Sequence, residues 1–153
     1  MKIERSVVED LPEILILQKL AYRSEAEIYN DFSIPPLTQT LEEIQEDFRR
    51  QKFLKALAND KITGSCRAYS KGDTCYIGRL IVHPDFQNQG IGAKLMNKIE
   101  AIFKDAKRFE VFTGHKSERN IYLYQKLGYK QFTVEEIHAG LTLVYLEKFK
   151  PVP

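Results

Sequence analysis

Hydrophobic and polar residues alternate in several short stretches of the chain, and this period of two is typical of strands with one buried face. Short turns separate neighbouring stretches, as Asn59-Asp60 and Ala139-Gly140 do. Because such turns join antiparallel strands, residues 52–82 are predicted to form an antiparallel meander. The pattern predicts strands at residues 2–7, 52–58, 62–70, 74–82, 108–114, 129–137 and 141–149.

In other stretches the apolar residues recur at the spacing of one helix face. The first predicted helix begins at Leu11-Pro12, since proline is tolerated in the first helical turn. Thr40 and Glu43 have the spacing of a capping box, which starts a second helix that runs to about Arg50. The remaining helices are predicted at about 90–105 and at 117–128.

Residues 22–37 are not assigned to an element, because Pro35-Pro36 breaks any helix there. The order of elements is therefore β-α-α-β-β-β-α-β-α-β-β, which predicts an α/β (α+β) fold with a mixed, mostly antiparallel sheet. The strand–helix–strand unit at 74–114 is expected to place its two strands parallel, through a right-handed crossover. A chain of 153 residues suits a single domain, 1–153, with its own core.

Charge and composition narrow the class of partner. Lys and Arg number 23 against 21 Asp and Glu, so the net charge is +2, which argues against an extended nucleic-acid surface. The chain has no apolar run of transmembrane length, and its N-terminus lacks the apolar core of a signal peptide. We therefore expect a cytoplasmic protein that binds neither nucleic acid nor membrane. Cys66 and Cys75, without further ligands at zinc spacing, predict buried thiols and no metal site.

The stretch VHPDFQNQGIGAKLM, residues 82–96, joins a predicted strand to a predicted helix through a turn with Gly90 and Gly92. The first N–H groups of a helix lack internal partners and carry partial positive charge, so this turn favours an anion such as phosphate. Asn88 tolerates the left-handed conformation of a tight turn. The spacing fits neither a P-loop nor a dinucleotide fingerprint, which needs glycine where Leu95 stands. On spacing alone, glycines that only permit close strand–helix packing are an equal alternative.

Two longer motifs resemble a known family. The sequence QNQGIG (87–92) is similar to the Gln/Arg-x-x-Gly-x-Gly/Ala signature of the GNAT superfamily of N-acetyltransferases, and IGRLIVHPDFQ resembles the strand that leads into it. Downstream, SERNIYLYQKLGY (117–129) resembles the family's following helix, which ends Leu-Tyr-x-x-x-Gly-Phe/Tyr. Both motifs occur in the right order and spacing, and the predicted elements cover the whole chain as the GNAT fold.

The resemblance implies that acetyl-CoA is the acetyl donor. Its pantetheine arm would lie between the strands 74–82 and 108–114, and its pyrophosphate would lie on amides of the glycine turn. Many relatives carry a basic residue where this chain has Gln89, so the backbone must bind more of the phosphate charge. The implied binding residues are Leu80, Ile81 and Val82 for pantetheine and Gln87, Asn88, Gln89, Gly90, Ile91 and Gly92 for pyrophosphate.

Tyr124 occupies the family's Leu-Tyr position, where a tyrosine protonates the departing thiolate, so the resemblance implies Tyr124 as the general acid. From the residues alone, packing is the ordinary role of Tyr124 and of Tyr122, which faces another side of the helix. The asparagine often found seven residues before the tyrosine is Ser117 here, and Asn120 stands one turn later. Either Ser117 or Asn120 is expected to hydrogen-bond the pantetheine arm.

The acceptor is expected beside residues 22–37, where the family places it. Acidic and aromatic residues intermingle there and suit a cationic amine, although a solvated loop whose aromatics cover the core is the alternative. The candidates are Glu25, Glu27 and Tyr29, followed by Asp31, His115, Glu135, Glu136 and His138. The sequence identifies no general base among them.

The resemblance therefore implies an N-acetyltransferase that passes an acetyl group from acetyl-CoA to an amine of a small molecule or a peptide by direct attack. The alternative is a non-catalytic module that binds acyl-CoA as a sensor, which would not need an acid at Tyr124. Relatives are often dimers, so a homodimer is an expectation by analogy alone.

Overall fold

The computed structural model of the protein describes residues 1–151. The strands are β1 (Lys2–Arg5), β2 (Lys52–Ala58), β3 (Lys61–Lys71), β4 (Thr74–Val82), β5 (Arg108–Gly114), β6 (Lys130–His138) and β7 (Leu141–Phe149). The helices are α1 (Leu11–Tyr29), α2 (Pro35–Thr38), α3 (Leu41–Arg50), α4 (Ile91–Ile102) and α5 (Glu118–Lys126). All these strands form one sheet in the order β1-β2-β3-β4-β5-β7-β6, in which the β4–β5 pair is parallel and the other pairs are antiparallel.

The predicted order of elements and the parallel β4–β5 pair are confirmed, with the short helix α2 in addition. The largest difference concerns residues 22–37, because α1 continues through this segment to Tyr29. Ala26 and Tyr29 are buried, so the inward face of α1 continues beyond the apolar run that predicts this helix. Asn30 ends α1 with a left-handed φ of 50°. Pro35-Pro36 opens α2, since proline fits a first helical turn.

Local hydrogen bonds set two element boundaries near the N-terminus. The predicted strand 2–7 ends earlier, at Arg5, and the Asp10 carboxylate accepts a hydrogen bond from the N–H of Val7 at 2.8 Å. The predicted capping box of α3 is confirmed, because Thr40 Oγ1 accepts from the Glu43 N–H (3.2 Å) and Glu43 Oε1 accepts from the Thr40 N–H (2.9 Å). Over the described 151 residues, no helix is both long and apolar enough to cross a membrane.

A hydrophobic core lies on each face of the sheet, with α4 and α5 covering one face and α1 and α3 covering the other. The first core holds Cys66 and Cys75, which are free and buried, as the sequence predicts. Burial raises the pKa of each thiol to about 12, so both stay protonated at neutral pH. Large buried side chains are Phe109, Tyr129, Leu95, Met96 and Ile99 in the first core and Leu11, Ile14, Ile44 and Phe53 in the second.

The parallel strands β4 and β5 separate after a short paired region. Their ladder contains the pairs Thr74–Arg108, Cys75–Phe109 and Tyr76–Glu110. Beyond Tyr76, β4 stays paired only with β3, while β5 stays paired only with β7 to Gly114. The last residues of β4 therefore present unpaired backbone groups to a V-shaped gap in the middle of the sheet.

A β-bulge accompanies this separation. Arg67 of β3 lies opposite Gly78, but Ser65 lies opposite Ile81, so β4 carries one extra residue between these pairs. Arg79 in this interval has a left-handed φ of 49°. A bulge bends its strand and increases its twist, which turns the end of β4 away from β5.

Candidate active site

The glycine turn connects β4 to α4 and leaves the start of this helix open. Asn88 has a φ of 63° and Gly90, the N-cap of α4, has a φ of 79°. No side chain caps the helix, so its first N–H groups remain free to bind a ligand. A Cβ built on Gly90 meets no atom within 4 Å, which leaves space above the backbone. Gly90 is therefore required by its left-handed conformation and not by packing.

Gly92 is a close packing position, although its tightest neighbour is helix α5 and not strand β4. A Cβ at Gly92 would lie 3.1 Å from Cδ2 of Leu123, a residue of α5. The glycine therefore lets α4 pack closely against α5. The packing explanation therefore applies to Gly92, while anion binding at the turn stays a prediction.

A cavity of about 810 Å³ extends from the gap beside β4 along the start of α4. Eleven of the predicted site residues line it, namely Glu25, Leu80, Ile81, Val82, Gln87, Asn88, Gly90, Ile91, Gly92, Ser117 and Asn120. Gln89, Glu27, Tyr29 and Tyr124 are not among its lining residues. Glu27 is exposed at the surface of α1. A volume of this size suits a large ligand in an elongated cleft.

Tyr29 joins α1 to the segment between β5 and α5. It is buried, and its hydroxyl accepts a hydrogen bond from the N–H of Lys116 at 2.8 Å. The same hydroxyl lies 2.9 Å from Ser117 Oγ, and the Ser117 hydroxyl donates to Glu25. Burial is the main cause that raises the pKa of Tyr29, so the phenol stays protonated. Tyr29 thus supports Ser117 and Glu25 from behind the cavity wall.

Asn120 has more free hydrogen-bonding capacity than Ser117. The Ser117 hydroxyl is occupied by Glu25 and Tyr29, whereas Asn120 makes one long contact, from Nδ2 to Thr113 Oγ1 at 3.4 Å. An amide offers two donors and an acceptor. Asn120 can therefore bind a ligand in the cavity without breaking a short internal bond.

Tyr124 and Tyr122 face different sides of α5, as their spacing predicts, with 5% and 67% of their surfaces exposed. The Tyr124 ring lies 5.9 Å from the Tyr129 ring and belongs to the core beneath α4. Burial raises the pKa of Tyr124 well above its usual range, so the phenol is a proton donor at every ordinary pH. Its hydroxyl forms no hydrogen bond within residues 1–151, and Tyr124 is not among the residues that line the cavity.

A second cavity, of about 430 Å³, was not predicted from the sequence. Apart from Ile77, its strand residues alternate with those of the first core, and Asp47 of α3 lines it, so it opens on the face that carries α1 and α3. The sequence signal for it is the alternation along β3. There Arg67 and Tyr69 alternate with the small buried residues Cys66 and Ala68, so a polar or aromatic residue occupies every second position. The lining residues are Asp47, Gln51, Arg67, Tyr69, Tyr76, Ile77, Gly78, Arg79, Glu110, Phe112 and Tyr145.

Arg67 is a buried cation whose charge is compensated. It is 3% exposed, and its Nη1 donates to Asp47 Oδ2 at 2.9 Å while Nη2 donates to Gln18 Oε1 at 2.5 Å. Its guanidinium also lies 4.4 Å from the centre of the Phe53 ring. Burial, followed by the charge of Arg79, lowers the pKa of Arg67 to about 10, so it remains charged at neutral pH.

The two histidines named as candidates for the acceptor side, His115 and His138, line neither cavity. His138 Nε2 is 2.9 Å from Asp31 Oδ2, which ties the end of β6 to the segment after α1. Hydrogen bonds from Ser33, and then from His138, lower the pKa of Asp31. His115 Nδ1 lies 3.0 Å from the backbone N of Thr142 and accepts its N–H. These contacts are structural.

Comparisons with known proteins agree with this geometry. Residues 18–129 match the Acetyltransferase (GNAT) family. The curated protein YqkA of Bacillus subtilis (strain 168), a UPF0157 protein, is 31% identical over 131 residues, which are 86% of this chain; the chain spans 38% of that relative's length.

Two solved structures share the fold. Smu.2055 from Streptococcus mutans UA159 superposes with a TM-score of 0.85 at 18% identity, over 97% of this chain and 99% of that chain. A GNAT family acetyltransferase from Elizabethkingia anophelis with acetyl-CoA bound superposes with a TM-score of 0.74 at 22% identity, over 97% of each chain. The predicted GNAT fold is confirmed, and the chain belongs to the GNAT acetyltransferase family.

Proposed function

We propose that the protein is an N-acetyltransferase that moves the acetyl group of acetyl-CoA to the amine of a small molecule or peptide. The observation that carries this proposal is the unpaired end of β4, which leads directly into an uncapped helix start. Such an arrangement offers one row of backbone donors and acceptors to an arm and one cluster of amides to a diphosphate. A similar protein from Elizabethkingia anophelis has acetyl-CoA bound.

The pyrophosphate binds at the turn before α4, on the amides of residues 87–92. Gly90 supplies the backbone shape and leaves the approach open. The basic residue of many relatives is Gln89 here, so backbone N–H groups carry most of the phosphate binding. The pantetheine arm pairs with Leu80, Ile81 and Val82, and Asn120 serves as its side-chain partner because the Ser117 hydroxyl is already engaged.

In the reaction, the acceptor nitrogen attacks the thioester carbon and forms the C–N bond. A backbone N–H near Ile81 or Val82 stabilises the developing oxyanion. The C–S bond then breaks, its electron pair stays on sulfur, and Tyr124 donates its proton to the thiolate. Burial keeps the phenol protonated until the thiolate forms but also makes it a weaker acid, so the transfer depends on a direct hydrogen bond from the hydroxyl to the sulfur.

Glu25 is the general base of this proposal. An alkylammonium with a pKa of ~10.4 costs about 4.6 kcal/mol to deprotonate at pH 7, so a proton acceptor is needed. Glu25 lines the cavity of about 810 Å³, here called the acetyl-CoA cavity, and accepts a hydrogen bond from Ser117. Glu27 on the same helix is exposed and lines neither cavity. We expect Glu25→Gln to lower kcat about 10²-fold, while Glu27→Gln, the matched control, leaves it unchanged.

The test of the function combines binding and turnover. Calorimetry with acetyl-CoA should show binding to the wild type and weaker binding to Gly90→Val, whose β-branched side chain opposes the left-handed turn. Thiol release with a panel of amines should exceed the background hydrolysis of acetyl-CoA. Binding without any amine-dependent release would favour the acyl-CoA sensor, and absence of binding would refute both functions.

A further inference from the structure

The second cavity contains a cation without a partner. Arg79 lines this cavity, and its Nε is buried without a hydrogen bond. No carboxylate in the described part of the chain forms a salt bridge with Arg79. A buried guanidinium nitrogen without a partner is costly, so its presence on a cavity wall points to a ligand that completes it.

The backbone at Arg79 is also unusual for an arginine. Its φ of 49° belongs to the left-handed region, which glycine or asparagine adopts more easily. The strain lies at the bulge where β4 leaves β5, one residue before Leu80 of the acetyl-CoA cavity. Strain of this kind gathers where ligands bind, and here it lies at a residue of the second cavity that directly precedes a residue of the first.

The surrounding charges leave Arg79 uncompensated. The other arginine of the cavity lining, Arg67, is paired with Asp47 at 2.9 Å. The only other carboxylate of the cavity lining, Glu110, is paired with Arg108 at 2.9 Å. A ligand anion therefore meets the positive charge of Arg79, which has no salt bridge of its own, while Glu110 shares its cation with a second carboxylate, Glu147.

Aromatic rings form much of the remaining wall. Tyr69 and Tyr76 stack with their centres 5.2 Å apart, and Phe112 and Tyr145 lie 5.4 Å apart. Tyr69 and Phe112 are 42% and 45% exposed, so part of each ring is available to a ligand. A cavity of about 430 Å³ is the size of a small-molecule site.

We propose that the second cavity binds the acetyl acceptor, and that this acceptor is a small aromatic amine that also carries a carboxylate. The carboxylate pairs with Arg79 and the ring packs on the tyrosine and phenylalanine wall. The amine then lies on the side of Leu80, where β4 leads into the acetyl-CoA cavity. This inference rests on the proposed acetyltransferase function and names its substrate class.

Matched pairs of amines test the role of the carboxylate. L-tyrosine is compared with tyramine, and L-tryptophan with tryptamine, in thiol release with acetyl-CoA. We expect kcat/KM of the wild type to favour the acid in each pair by about tenfold or more, the effect of one charge-assisted bond. Arg79→Gln should bring the ratio near one by raising KM for the acid. Arg79→Lys should restore part of the preference, and Arg5→Gln, at an exposed position on β1, should leave it unchanged.

A binding measurement separates this inference from the function on which it rests. Calorimetry of the CoA complex with N-acetyl-L-tyrosine and N-acetyltyramine should show tighter binding of the acid, lost in Arg79→Gln. The inference is overturned if the wild type has equal kcat/KM for both members of a pair, or if Arg79→Gln lowers kcat/KM equally for both. In either case, amine-dependent turnover would still support the proposed acetyltransferase function. If no amine is used, tighter binding of the acid that depends on Arg79 still supports the anion site, and its absence refutes it.

Discussion

The hydroxyl of Tyr29 occupies the space that a side chain at residue 114 would need, so α1 and β5 meet where only glycine fits. This contact carries the chain of hydrogen bonds that runs from Tyr29 to Ser117 and on to Glu25. Gly114 lines neither cavity, yet it determines how closely α1 approaches the gap beside β4.

We expect Gly114→Ala to destabilise the protein by about 1–3 kcal/mol, the usual cost of overpacking a tight contact. It should also lower the affinity for acetyl-CoA, because displacement of Tyr29 moves Ser117. Urea unfolding and calorimetry measure the two effects. Gly78→Ala is the control for stability, since a Cβ there meets nothing within 4 Å. Equal stability of Gly114→Ala and the wild type would show that the contact relaxes without cost.

Substitutions at Gly90 should follow backbone preference and not side-chain volume. The φ of 79° makes alanine unfavourable by about 1–2 kcal/mol, whereas asparagine adopts this region more readily. We therefore expect the melting temperature to fall in the order glycine, asparagine, alanine, valine. Gly92→Ala should instead act through the 3.1 Å approach to Leu123, and Leu123→Ala should relieve it. A melting temperature that follows volume at Gly90 would contradict the conformational explanation.

The fold was predictable because its local signals agree with one another. The capping box at Thr40 and the strand–turn–helix at residues 74–102 depend on neighbours in the sequence, and both were predicted correctly. The sequence predicted a tight turn at Asn88 and Gly90, and both residues have a left-handed φ in the structure. Local patterns of this kind are set by propensity and short-range hydrogen bonds.

The second cavity and the long α1 could not be predicted in the same way. Tyr29 is buried because Gly114 of β5 and Ser117 lie against it, and Ser117 is 88 residues away in the sequence. Arg79 becomes a cavity residue only because a bulge shifts the register of β4 against β3. A shift of one residue exchanges the faces of a strand, and no local signal marks it.

Tyr124 makes a specific prediction about pH. Burial raises the pKa of its phenol above the usual range, so the acid stays protonated as the pH rises. The rate should therefore increase up to about pH 9, as the acceptor amine loses its proton. It should not decrease in this range, because Tyr124 does not deprotonate there. Tyr124→Phe should lower kcat about 10²-fold at every pH in this range. Tyr122→Phe, on the exposed side of α5, should match the wild type; a rate of Tyr124→Phe equal to the wild type would remove the acid from the mechanism.

The buried thiols predict a loss of stability at alkaline pH. The pKa of Cys66 and of Cys75 is raised to about 12 in the folded protein, while an unfolded thiol titrates near ~8.5. The unfolded chain therefore loses these protons first, and the free energy of unfolding falls between about pH 8.5 and pH 12, by up to ~1.4 kcal/mol per pH unit for each thiol. Urea unfolding across this range should show a shallower slope for Cys66→Ala and Cys75→Ala. An unchanged slope in both variants would assign the alkaline loss to other groups.

Asp47 and Glu46 are adjacent on α3 and should differ sharply in their effect on stability. Asp47 is the carboxylate partner of the buried Arg67, whereas Glu46 pairs with the exposed Arg49 and Arg50. We expect Asp47→Asn to cost about 2–4 kcal/mol, because it leaves a buried guanidinium without its counter-charge. Glu46→Gln should cost less than about 1 kcal/mol, since exposed pairs contribute little. Chemical denaturation of both variants makes the comparison at equal side-chain volume. Similar small losses would mean that Gln18, which accepts from Arg67 at 2.5 Å, is enough to hold the cation in the core.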